Sequence, residues 1–125
     1  MKNGYNAYAQ NSVMVESPYK LTQMLYEGIL KFTSQAKRAI NEGEIEKRVY
    51  YINRATAIYV ELIATLNFDG GEIAHYLHGL YNYQLKLLSE ANLENSLTKI
   101  EEAINVASVL LEAWKEETQN EPAVA

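Results

Sequence analysis

Glu72 and His75 stand three residues apart in Gly70-Gly71-Glu72-Ile73-Ala74-His75, the Glu-x-x-His spacing with which bundle helices hold di-metal carboxylate centres. Such a centre takes that pair twice, from two helices, with further glutamates from the other two. The chain has 2 histidines, and the second, His78, falls on the same helix. A di-metal centre is therefore excluded by count, and His75 with His78 supplies at most half of a zinc site. The plainer alternative is two partly exposed histidines near a helix start. With no cysteine there is neither a thiolate ligand nor a disulfide framework. Carboxylates are plentiful, yet the single aspartate, Asp69, lies in a turn, and no Ser-His-Asp constellation forms. Gly70-Gly71 lacks the Lys-Ser/Thr that follows a phosphate-binding loop. An enzyme is therefore unsupported by any constellation in the sequence.

The helices that would carry these residues read clearly. Ser17-Pro18 is a helix start, because Ser accepts a bond from an early backbone N–H and Pro at the first position forfeits none. The first helix runs to about Asn41 on Leu21, Met24, Leu25, Ile29, Phe32, Ala36, Ala39 and Ile40, with Gly43 at its left-handed end. A second begins at Glu44 to Glu46 and repeats through Ile45, Val49, Ile52, Thr56, Tyr59, Ile63 and Leu66, with Ala55, Ile58 and Leu62 as a second stripe. Asn67 to Gly71 is a turn whose two glycines are free to take positive φ. The third helix extends to about Asn92, with Ile73, Leu77, Leu80, Gln84, Leu87 and Leu88 in one stripe and Tyr76, Gly79 and Tyr83 beside or across from it. Asn95 is the expected cap of a fourth, built on Leu97, Ile100, Ile104, Ala107, Leu111 and Trp114, a stripe widened by Val106, Val109, Leu110 and Ala113. Short links make neighbours antiparallel, so the fold class is all-α, an up-and-down four-helix bundle about 30 Å long. Residues 1–16 form an N-terminal arm with apolar anchors, 17–117 the bundle, and 118–125 a frayed tail.

At 125 residues the chain suits one domain. A net charge of -5, with its Lys and Arg scattered, argues against nucleic acid, and the basic trio Lys31, Lys37 and Arg38 reads as a solvated face. No apolar run is long enough to span a membrane and none resembles a signal peptide, so the expected location is the cytoplasm, without membrane insertion.

Tyrosine is the compositional anomaly, with 10 Tyr against 2 Phe and 1 Trp. A ring that buries like Phe and a hydroxyl that stays wet suit the rim of a core and a partner surface alike. Tyr50, Tyr51, Tyr59, Tyr76, Tyr81 and Tyr83 cannot all face one narrow core, so at least two are assigned to a partner surface. Gly28 and Gly79 lie inside helices at a cost of about 1 kcal/mol each relative to Ala. Either close helix packing or a groove floor accounts for them. Trp114 reads as a core or rim anchor.

Several of these stretches also resemble a known family. Glu16-Ser17-Pro18 with Leu21 and Met24-Leu25-Tyr26-Glu27-Gly28 is similar to the start of the first helix in the flagellin-specific export chaperones, the FliS family. Asn53, Ala55, Ile58, Leu62 and Leu66 fit its second helix, Gly70-Gly71-Glu72-Ile73-Ala74, Leu80-Tyr81-Asn82-Tyr83 and Ala91-Asn92 its third, and Leu110-Leu111 with Ala113-Trp114 its fourth. In two departures, Gln84 stands where the family often has Met and Leu87 where it often has a basic residue. The resemblance implies a cytoplasmic chaperone, without catalytic residues or cofactor, that binds the C-terminal segment of flagellin, prevents premature polymerisation and delivers it to the flagellar export apparatus. A co-chaperone or other export components are further implied partners. The partner surface is expected at Tyr8, Ile58, Tyr59, Leu62, Tyr76, Gly79, Leu80, Tyr81 and Tyr83, with Tyr8 of the arm serving as a lid in the free protein. The alternatives are a small metal-binding bundle and a self-associating structural bundle.

Overall fold

The computed structural model describes residues 17–119. Four helices follow one another, α1 (Pro18–Glu42), α2 (Ile45–Ala64), α3 (Glu72–Glu94) and α4 (Leu97–Gln119), with a 3-10 turn at Phe68–Gly70 between α2 and α3. The fourth helix thus runs past the expected boundary at 117 to Gln119. The expected arm, including Tyr8, lies outside the described residues.

The termini show how local sequence sets the boundaries. Ser17 Oγ accepts from Lys20 N at 3.2 Å, and Pro18 occupies the first turn. Gly43 closes α1 with φ of 70°, and its N–H bonds back to Ile40 O. In the α2–α3 link Asn67 Oδ1 accepts from Asp69 N at 3.0 Å, and Gly71 takes φ of 99° before α3 begins. Gly70 completes the 3-10 turn, so one of the two glycines carries the positive φ. The α3–α4 junction corrects the expected cap. Asn95 adopts the left-handed conformation, φ 53°, and ends α3, while Ser96 Oγ accepts from Lys99 N at 3.1 Å and starts α4. Asn tolerates positive φ better than most residues with a Cβ, and the following Ser is free to cap.

α1 packs against α2 and α4, and α3 packs against the same two, so α1 and α3 face each other across the core. Buried positions recur at steps of three and four: Leu25, Tyr26, Ile29, Thr33, Ala36 and Ala39 on α1; Ile52, Ala55, Tyr59 and Leu62 on α2; Tyr81, Gln84, Leu88 and Ala91 on α3; Ile100, Ala103, Ala107 and Leu111 on α4. Aromatic residues fill the end where α1 and α3 start, and alanines dominate the other. Across the diagonal the hydroxyls of Tyr26 and Tyr81 meet at 2.5 Å. Trp114 is a rim anchor. Its ring lies 6.0 Å from that of Tyr26, and its Nε1 donates to Tyr19 O at 2.8 Å. Lys37 pairs with Glu101 at 3.1 Å, tying α1 to α4, and Lys99 pairs with both Glu90 and Glu94 across the α3–α4 junction.

The interior glycine Gly28 is a close-packing position. A Cβ there would stand 3.0 Å from Ile58 Cδ1 on α2. Gly79 is different, for a Cβ there would meet nothing within 4 Å.

Candidate functional site

Of the residues expected to meet a partner, all but Tyr8 lie among the described residues, and these separate by depth. Tyr59, Leu62 and Tyr81 are buried in the core and form its interior. The reason is rotational: Tyr59 and Tyr81 continue the inner lines of α2 and α3, and their rings pack on each other with centroids 5.7 Å apart. Ile58 is half-buried against Gly28, and Leu80 is half-buried as well. Tyr76 and Tyr83 are exposed at 63% and 46%, with Gly79 exposed between them. Tyr50 is also exposed, its ring 5.1 Å from that of the half-buried Tyr51, which in turn stacks on Phe32.

The exposed members belong to a continuous outer stripe on α3. Ile73, Tyr76, Leu80 and Tyr83 follow steps of three, four and three, one residue out of phase with the buried line of Ala74, Tyr81, Gln84 and Leu88. That offset turns the stripe by about 100° towards α4. Tyr83 makes the link, its hydroxyl donating to Glu102 Oε2 on α4 at 2.7 Å. The carboxylate that accepts this bond pushes the Tyr83 phenol above its ordinary range. In antiparallel helices, moving seven residues back from Tyr83 and seven on from Glu102 brings Tyr76 level with Val109, which is also exposed. Ile73 and Val109, expected on core stripes, therefore lie outside. The periodicity of each helix supports two apolar lines, and only the packing of neighbours decides which is inner. Open space over Gly79 leaves a gap between the two tyrosines, as a groove floor requires.

Burial governs the chemistry of the inner tyrosines. Desolvation raises the phenol pKa of Tyr26, although the bond from Tyr81 partly offsets it, and desolvation raises those of Tyr59 and Tyr81 still further. All three stay neutral at physiological pH. His75 and His78 are exposed and rest on Phe68 of the α2–α3 link, with ring centroids at 4.9 and 5.4 Å, while Asn82 Nδ2 contacts His78 Nε2 at 3.2 Å. Among the described residues no group of three or more His, Cys, Asp or Glu is placed to hold a metal ion. None of the described helices is long and apolar enough to cross a membrane. What the α3–α4 face offers is apolar and aromatic area with a few hydrogen-bonding groups.

Comparison with known proteins bears on what that face serves. The family profile described as flagellar protein FliS matches residues 1–121. The flagellar secretion chaperone FliS of Campylobacter jejuni is 58% identical over 118 residues, covering 94% of this chain and 92% of its own. The protein of the same name from Bacillus subtilis is 35% identical over 121 residues, covering 97% and 90%. A crystal structure of a flagellar chaperone from bacteria superposes with a TM-score of 0.78 over 96% of this chain and 98% of that one, at 21% identity, and so shares the fold. The relatives are named for chaperoning, a non-enzymatic role, in agreement with the expectation that the chain is not an enzyme. A profile spanning nearly every residue and a relative more than half identical leave one assignment, and the chain belongs to the FliS family of flagellar secretion chaperones.

Proposed function

We propose that this chaperone binds the C-terminal segment of flagellin in the cytoplasm, keeps it from polymerising prematurely and delivers it to the flagellar export apparatus. The observation that carries the reading is the outer stripe of exposed Ile73, Tyr76 and Tyr83 with half-buried Leu80 around the open Gly79, and Val109 opposite. A subunit tail that assembles by its apolar face needs that face covered, and a stripe at helical spacing covers it without a deep pocket. Such contacts are individually modest, which suits a complex that must come apart before export. In this reading Tyr76, Gly79, Leu80 and Tyr83 touch the segment, Ile58 stiffens the α1–α2 seam, and Tyr59, Leu62 and Tyr81 hold α3 in place from within. A co-chaperone and other export components are further partners.

Titration calorimetry with a flagellin C-terminal peptide tests the proposal. Tyr76→Glu is expected to weaken binding at least about tenfold, because a charge placed in an apolar contact must be desolvated. It should leave the melting temperature unchanged, since Tyr76 is outside the core. Unaltered affinity in both Tyr76→Glu and Tyr83→Glu would move the site elsewhere, and failure of the unmodified protein to bind would remove the reading altogether.

A further inference from the structure

Arg48 lies in the first turn of α2 and reaches the last turn of α3. Its Nε donates to Asn92 Oδ1 at 3.0 Å and its Nη1 to Asn95 Oδ1 at 2.9 Å. Both acceptors are neutral amides. A guanidinium carries five N–H groups in a rigid fork, so most of its donor capacity is left over. Among the described residues no carboxylate forms an ion pair with Arg48; Glu44 pairs instead with Lys47, and Glu90 and Glu94 with Lys99. The position of Arg48 beside the negative end of α3 explains why a cation is tolerated there. It does not explain why two amides fix the fork while no anion meets it.

Next to this fork is an open cleft of about 340 Å³ lined by Arg48, Val49, Ser89, Asn92 and Leu93. Its apolar wall is bare, with Leu93 87% exposed, and Ile45, one turn before Val49 on the same ridge, exposed as well. An immobilised cation bordering an apolar wall complements a chain that ends in an apolar side chain followed by its own carboxylate. At a chain end the carboxylate and the last side chain leave the same Cα, so one residue reaches both the cation and the wall. Leu93 lies on the same helix as Tyr83, about 15 Å further along. A segment that meets both features crosses the outer face of α3, from the α4 side where Tyr83 bonds Glu102 to the α2 side where Arg48 stands, a turn of about 80° about the helix axis between Tyr83 and Leu93.

We infer that Arg48 is an anchor for the terminal carboxylate of the bound partner segment, with that segment's last apolar side chain resting on Val49 and Leu93. The inference rests on the proposal that the partner is the C-terminal segment of flagellin, and it adds that the free end itself is recognised. Charge-assisted, forked hydrogen bonds to a carboxylate are among the stronger polar contacts, and they vanish when the carboxylate becomes an amide.

The test compares one flagellin C-terminal peptide in two forms, free acid and carboxamide, by calorimetry against the full chain and its Arg48→Gln variant. The free acid is expected to bind the unmodified protein about tenfold tighter than the carboxamide, and Arg48→Gln should abolish that difference. Equal affinity of the two forms for the unmodified protein would overturn the anchor while leaving the flagellin reading intact. Absence of binding by either form would overturn both. Because Arg48 also steadies the α2–α3 seam, Leu93→Glu provides a variant that does not disturb the core. It is expected to repel the free acid and so lose the tenfold preference, and an undiminished preference would overturn the placement.

Discussion

Replacing Gln84 by Met is expected to stabilise the bundle. Gln84 has no exposed surface, and neither its amide nitrogen nor its amide oxygen has a hydrogen-bond partner among the described residues. An unsatisfied buried polar group costs about 1–3 kcal/mol. Met has the same unbranched reach and adapts to irregular space, so it removes the polar atoms without opening a cavity. Taking the lower part of that range for each of the two atoms, because neighbours relax around them, gives a gain of about 2 kcal/mol. For a domain of this length that is a rise of about 8 °C in melting temperature. Thermal and urea unfolding followed by circular dichroism measure it directly. The isosteric Gln84→Glu should move the opposite way at neutral pH, since it places an unpaired carboxylate in the same site. An unchanged or lowered melting temperature for Gln84→Met would refute the reasoning, because the amide would then be contributing net hydrogen bonding to the fold.

The two interior glycines should separate in a parallel experiment. Gly79→Ala, with open space around the new methyl group, is expected to raise stability by up to about 1 kcal/mol, whereas Gly28→Ala must displace Ile58 Cδ1 and should gain clearly less; equal gains would remove the distinction between packing and groove. The alkaline limit of the fold follows from Tyr26, Tyr59 and Tyr81, whose folded-state pKa values lie above the ordinary 10.0. Below that value neither state is ionised and their contribution is fully present; above it the unfolded chain loses protons that the folded chain keeps, so stability falls as pH rises. Urea midpoints should therefore be flat to about pH 9 and decline beyond about pH 10, by about 1.4 kcal/mol per pH unit for each tyrosine that ionises only on unfolding. Phenolate absorbance titrated with and without denaturant checks this, and a full tyrosine titration in the folded protein at the ordinary pKa would contradict it.

Helix number, order and most ends were legible in the sequence because caps and periodicity are local. Ser17-Pro18 and Gly43 are examples. Asn95 was not assigned correctly, because Asn serves both as an N-cap and as a left-handed C-cap, and the choice depends on the serine after it. That Tyr59, Leu62 and Tyr81 would be buried was hidden for a different reason. Tyr59 and Tyr81 bear the same residue type as Tyr76 and Tyr83, and a single helix does not say which of its two apolar lines will find a neighbour. Gly79 between two exposed tyrosines was the better pointer, since it asked for space and not for packing. Arg48 carried no signal at all in sequence. Its meaning depends on Asn92 and Asn95, brought to it by the antiparallel return of α3.

The Trp114–Tyr19 bond has a consequence for how the chain folds. The joints Gly43-Glu44 and Asn95-Ser96 each close a hairpin of sequence neighbours, at little loop entropy, so α1–α2 and α3–α4 can form early and locally. The seam between α1 and α4 joins the two ends of the described chain, the partners of that bond standing 95 positions apart. Its loop is the longest of the bundle, so closure entropy places it after both hairpins. Since Trp114 is the only tryptophan, its fluorescence reports this last docking step while circular dichroism reports helix formation, and the interval between the two signals in a refolding experiment measures how long the ring stays open.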